Sequence, residues 1–158
     1  MVFWEAFTMR FWFSTFVILL MSNTTTLAQS CVDYDIYDAG KTYPGARLVV
    51  NYLADIQEQD LYSSKGVKLS NVGQILRQDR ANVHKFKLGS EMDTHDRIFG
   101  KSANRALLET AQLVTYCDVN LTALKRQILQ GGVPGFLDVL VFKMLGSGRY
   151  RVFINVVG

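Results

Sequence analysis

The sequence has few of the features that usually announce a chemistry. It has only two cysteines and two histidines, and no CxxC, HExxH, GxSxG or glycine-rich phosphate loop among its 158 residues. Thiol–disulfide catalysis, helix-borne zinc hydrolysis, serine-elbow hydrolysis and P-loop nucleotide binding therefore have no sequence support. No repeat, low-complexity tract or linker divides the chain. The formal net charge is only +3, too small an excess to mark a nucleic-acid or membrane-surface protein, so no nucleic-acid partner is expected. A membrane-spanning helix needs roughly 20 apolar residues. The main apolar run, Phe11 to Met21, is about half that, and Glu5 and Arg10 stop it from extending upstream.

That short run has a positive residue before it, Arg10, and the segment Leu27-Ala28-Gln29-Ser30-Cys31 after a polar stretch. A charged n-region, an apolar h-region of about 11 residues and small residues before a cut form the layout of a secretory signal peptide. Residues 1–30 are accordingly expected to be a leader cleaved near Ser30, with Ala28 three positions before the bond. The remaining 31–158, about 128 residues, suit one globular domain with no transmembrane helix in the mature form. Removing the leader deletes Arg10 and Glu5 together, so the charge stays at +3. The localisation expected is secreted or periplasmic. An envelope lipoprotein acylated at Cys31 is the alternative, although Ala28 and Ser30 fit a lipobox poorly.

Export decides how Cys31 and Cys117 are read. An even pair in an oxidising compartment is most simply a disulfide, here closing a loop of about 85 intervening residues. Chain entropy puts the stabilisation from such a loop at roughly 4.5 kcal/mol.

Periodicity indicates an α+β fold: about four helices packed on a small antiparallel sheet that includes a C-terminal β-hairpin. Val32, Tyr34 and Ile36 alternate with Asp33 and Asp35 as in a strand. Leu48, Val49, Tyr52, Leu53 and Ile56 behind Pro44 predict a helix over about 44–60. Val72, Ile75, Leu76, Val83 and Phe86 predict a second helix, capped by Ser70. Leu107, Leu108, Ala111 and Val114 predict a third, from Ser102 to near Cys117. A fourth, about 120–130, ends at Gly131-Gly132. Residues 137–145 and 149–157, around Gly146-Ser147-Gly148, read as the hairpin.

Candidate sites are sparse. Asp79 falls in the middle of the apolar arc of the second helix, so it must be paired with an arginine or backbone amides, cap a helix break, or serve a pocket as acid or base. His84 and His95 are the possible catalytic partners of Asp79. Arg77, Arg80, His84 and Lys87 fall on an adjacent stripe at steps of three, four and three, able to hold an anionic group or simply form a solvated face. His84, His95, Asp93 and Asp96 are chemically able to bind zinc, yet match no known spacing, so no metal site is expected and no cofactor is implied. Asp33, Asp35 and Asp38 resemble a calcium loop only superficially, since Pro44 stands where its twelfth-position acid belongs. Asn120-Leu121-Thr122 is a glycosylation sequon, relevant in a eukaryotic secretory pathway. The expected function is binding or interaction, with an unidentified protein or anionic ligand in the envelope or outside the cell. A small hydrolase using Asp79 with His84 or His95 is the alternative.

Overall fold

The computed structural model describes residues 30–158. The expected leader therefore lies, except for Ser30, outside the described residues. Five strands form one mixed sheet in the order β1-β3-β5-β4-β2. They are β1 (Cys31–Val32), β2 (Ala46–Ala54), β3 (Gln112–Tyr116), β4 (Phe136–Met144) and β5 (Tyr150–Val157). β4 and β5 form the expected hairpin, and β2 adds antiparallel to β4. β3 lies parallel to both β5 and β1, so the sheet is mixed rather than antiparallel.

Among the described residues three α-helical regions pack on the sheet, not four, besides one short 3-10 turn at Glu58–Leu61. The first is α1 (Val72–Ala81), which runs on into a π turn, Asn82–Phe86. The second is broken into two short pieces, α2 (Ser102–Arg105) and α3 (Leu107–Thr110). The third is α4 (Leu121–Gln130), where the Asn120 side chain accepts the Ala123 N–H at 3.0 Å and Gly131 closes the helix at φ 69°. Among the described residues no helix is long and apolar enough to cross a membrane.

The helix expected over 44–60 is strand β2. Pro44-Gly45 forms a turn in which the Ala46 N–H returns to the Tyr43 carbonyl at 3.1 Å and Gly45 takes φ 68°. Proline followed by a positive-φ glycine is the chemistry of a type II turn, not of a helix start. The false helical spacing has a second cause. The register slips between Leu48 and Val50, a bulge at Val49 that shifts the alternation by one residue and imitates a longer period. The third helix also ends early. After Ala111 the chain straightens, and Gln112–Tyr116 becomes β3 because it fits between β5 and β1. The strand predicted over 32–36 keeps only its first residue in β1; the chain then turns through residues 33–40.

Alternation along the central strands sends side chains to two cores. Leu137, Val139 and Val141 of β4 and Val152 and Ile154 of β5 meet the helices through Ile75, Leu76, Leu108, Leu124 and Ile128. Leu140, Phe142 and Phe153 point to the opposite face, which Val32, Ile36 and Tyr43 of the N-terminal segment cover. A polar tie holds that segment down. Tyr37 Oη donates to Asp138 at 2.8 Å, Asn51 also donates to Asp138, and Lys41 Nζ donates to Asn51 at 2.6 Å. The disulfide Cys31–Cys117, with Cα atoms 4.8 Å apart, clamps the two-residue edge strand β1 to the end of β3.

Candidate functional site

Asp79, Arg80, Asp93 and Asp96 meet in one buried cluster beneath α1, with His84 against Asp96. Asn71 caps this helix by accepting the Gln74 N–H at 2.9 Å, one residue later than the expected cap. From that start the helical phase carries Asp79 into the interior, where it is 1% exposed. Its neighbour Arg80 is 0% exposed, the largest fully buried side chain of the described protein. Arg80 Nε donates to Asp79 Oδ2 at 2.7 Å, Nη1 to the Thr94 carbonyl at 2.7 Å and Nη2 to Asp93 Oδ1 at 3.2 Å. Nη2 also reaches the Leu53 carbonyl at 3.4 Å, Asp96 Oδ2 lies 3.6 Å from Nη1, and the guanidinium sits over the Tyr52 ring at 4.2 Å. One cation thus joins α1, the end of β2 and the segment 93–96.

The acids around it are not equivalent. Asp93 accepts the backbone N–H groups of Asp55 at 2.9 Å and Ser90 at 2.7 Å. Asp96 Oδ1 accepts those of Ile98 and Phe99 at 2.8 and 2.6 Å, while His84 Nε2 lies 2.8 Å from Oδ2. Burial works against the Asp96 anion, but the Phe99 N–H and His84 outweigh it and hold its pKa below the ordinary carboxylate range. Asp79 has only Arg80, and its Oδ1 has no hydrogen-bond partner among the described residues. Burial therefore lifts the Asp79 pKa well above its usual value, despite Arg80 beside it. Burial likewise opposes the Arg80 charge, but Asp79 together with Tyr52 and Asp93 outweighs it, so the Arg80 pKa is raised and the side chain is held cationic.

The stripe Arg77, Arg80, His84, Lys87 is not brought together. A π turn takes more residues per revolution than an α-helix, so the phase changes after Ala81. Arg80 and His84 turn inward to Asp96, Arg77 pairs with Glu109 on the surface at 2.6 Å, and Lys87 closes the π turn at φ 60°. The same change of phase leaves Phe86, expected in the core, 38% exposed. His84 meets Asp96 rather than Asp79, and the exposed His95 ring packs edge-on against His84 with centroids 5.5 Å apart. Among the described residues no three metal-ligating side chains converge on one point. Asp35 caps a turn, its Oδ1 accepting the N–H groups of Tyr37 at 2.8 Å and Asp38 at 3.3 Å.

Three parts of this picture were not read from the sequence. Asp60 and Asn82, buried side by side, are joined by a 2.7 Å hydrogen bond. Burial raises the Asp60 pKa against the bonds from Gln57 and Asn82. Asp96 as a turn cap had a local signal, since an aspartate accepting from residues two and three ahead is an Asx arrangement. Arg105 and Glu109 line an open cleft of about 240 Å³ against α1, and nothing in the local sequence joins them to Arg77 or Lys85. Comparison of this chain with protein-family models, curated proteins and solved structures finds no match.

Proposed function

We propose that the chain is a small exported domain that acts by binding rather than by catalysis. The observation that carries this reading is the closure of the Asp79–Arg80 cluster. Both side chains are at or below 1% exposure, and the neighbouring carboxylates of Asp93 and Asp96 are engaged by backbone amides. A general acid or base must come within hydrogen-bond reach of the proton it moves, and no substrate atom can approach Asp79 from solvent. An open polar cleft lies between α1 and the α2–α3 region, a feature suited to holding a ligand. The Cys31–Cys117 bond is in keeping with an oxidising compartment.

The hydrolase reading has one observation in its favour, the 2.8 Å contact of His84 Nε2 with Asp96 Oδ2. A carboxylate that orients an imidazole is half of a nucleophile-activating arrangement. The lipoprotein alternative needs the Cys31 sulfur, which is bonded to Cys117. Tagged protein recovered from its own host tests the proposal. The account expects an N-terminus at Cys31, linked Cys31 and Cys117 peptides under non-reducing conditions, and a co-purifying ligand that stays chemically unchanged on incubation. A retained leader or a diacylglyceryl mass on Cys31 refutes export as a soluble disulfide-bonded form, and turnover of the ligand refutes binding without catalysis.

A further inference from the structure

We propose that the cleft between α1 and the α2–α3 region is an oxyanion site that takes a phosphate or sulfate group. The inference rests on the binding reading above and gives it a ligand class.

Its centre is Arg105, which is only 5% exposed. Buried arginines are normally paired with a carboxylate, as Arg80 is. Arg105 has none within ion-pair distance among the described residues. Its hydrogen bonds both run through Nη1, to the carbonyls of Phe99 at 2.6 Å and Gly100 at 3.1 Å. Those two bonds to neutral carbonyls fix the plane of the guanidinium on the wall of a cleft of about 240 Å³, and Asp96, whose charge acts on it, lies beyond ion-pair distance and does not line that cleft.

Two further cations face the same space. Arg77 comes from the outer face of α1, and Lys85 comes from the π turn, its Nζ resting over the Phe86 ring at 4.7 Å. π turns frequently mark functional positions, and this one brings Lys85 to the cleft that holds Arg77. Burial first, and then the positive charge of Arg77, push the Arg105 pKa below its ordinary value against the opposing pull of Asp96, so the two guanidiniums repel one another. Against three cations the cleft has one acid, Glu109, already bonded to Arg77 at 2.6 Å. A ligand that relieves this imbalance must carry negative charge and accept several N–H bonds at once. A tetrahedral oxyanion does both, and arginine matches its geometry with paired donors. The side chains of Gln74 and Ser64 on the cleft wall add neutral polar groups. The volume leaves room for part of the molecule carrying the anion, next to the exposed Phe86 ring.

The test is a nuclear magnetic resonance titration of the exported, disulfide-bonded protein with sodium phosphate and, separately, sodium sulfate, ionic strength being held constant with chloride. Saturable shifts are expected at the side-chain Nε–H signals of Arg77 and Arg105 and at the Lys85 amide, with none from chloride alone. The anion that saturates at lower concentration identifies the group. Arg105→Gln removes the bonds to Phe99 and Gly100 and is set aside as a variant that can unfold. The double variant R77Q/K85Q keeps those bonds and is expected to weaken the anion at least about tenfold, as loss of charge-assisted bonds does. E109Q removes the competing acid and is expected to tighten it about threefold, the scale of a partly exposed charge pair. Absence of saturable shifts with either anion, equal affinity in R77Q/K85Q, or weaker binding in E109Q would each overturn the assignment. Capture of a native ligand by R77Q/K85Q as strongly as by the parent also overturns it, while leaving the binding function itself intact.

Discussion

Replacing Arg80 by methionine separates a structural cluster from an ordinary surface ion pair. Methionine follows the arginine stem closely in length, so the change removes the guanidinium with little loss of packing volume. What it leaves behind is severe. Asp79 Oδ2 loses a 2.7 Å donor in the interior, and Asp93 Oδ1 a 3.2 Å donor and the Thr94 carbonyl a 2.7 Å donor at its part-buried edge. Asp96 Oδ2, 3.6 Å away, loses its nearest arginine charge. Stranding one side of a buried pair typically costs about 3–5 kcal/mol, and here more than one carboxylate is stranded, so the upper half of that range is expected. With a urea slope of about 2 kcal/mol per molar for a chain of this size, the midpoint falls by about 2 M at unchanged slope. Urea unfolding followed by tryptophan-independent far-ultraviolet dichroism measures it. Adding Asp79→Asn to the same chain should restore part of the loss, because a neutral amide replaces the least supported acid. A single-variant change within about 0.5 kcal/mol, the usual range for surface substitutions, would refute the account of Arg80 as the interior tie.

Four further outcomes follow from the same geometry. Because the folded-state Asp79 pKa is raised, its contribution to stability is fully present below 3.8 and is lost as pH rises, so the advantage of Asp79→Asn over the parent grows with pH; an identical pH profile would contradict this. Asp96 has the opposite sign, its stabilising contribution being lost as pH falls below 3.8, so Asp96→Asn flattens the acid limb in the same denaturation series. Cys31→Ser with Cys117→Ser should cost roughly 3–4.5 kcal/mol by the loop-closure estimate, read as a lowered urea midpoint. Gly73→Ala places a Cβ against the Leu108 carbonyl oxygen where α1 crosses α3, and overpacking of that kind costs about 1–3 kcal/mol in thermal or urea unfolding.

What the sequence made legible was local. The hairpin shows because β4 and β5 alternate between two different cores, so their two-residue period survives in the residue order. α4 shows because Asn120 and Gly131 supply both of its ends. The disulfide followed from parity of cysteines, and the burial of Asp79 from helical phase over one regular stretch of α1. Failures came where regularity breaks. A single bulge at Val49 disguised β2, and a π turn after Ala81 disguised the true neighbours of His84 and Lys85. The parallel pairings of β3 were invisible because they join residues far apart in the chain, Leu113 with Val152 and Thr115 with Cys31. Arg105 belongs to the same class. Its burial depends on the carbonyls of Phe99 and Gly100, and its place in the cleft depends on α1 packing against α3.

The central claim, that the Asp79–Arg80 cluster is scaffold and the open cleft is the site, is tested most directly by ligand retention in two variants measured in parallel. Parent, Asp79→Asn and R77Q/K85Q proteins are recovered from the native host, and the co-purifying ligand is quantified and its mass compared before and after incubation. The account predicts that Asp79→Asn retains the ligand unchanged at the parent level, whereas R77Q/K85Q loses it. Conversion of the ligand by the parent, abolished in Asp79→Asn and preserved in R77Q/K85Q, would contradict it.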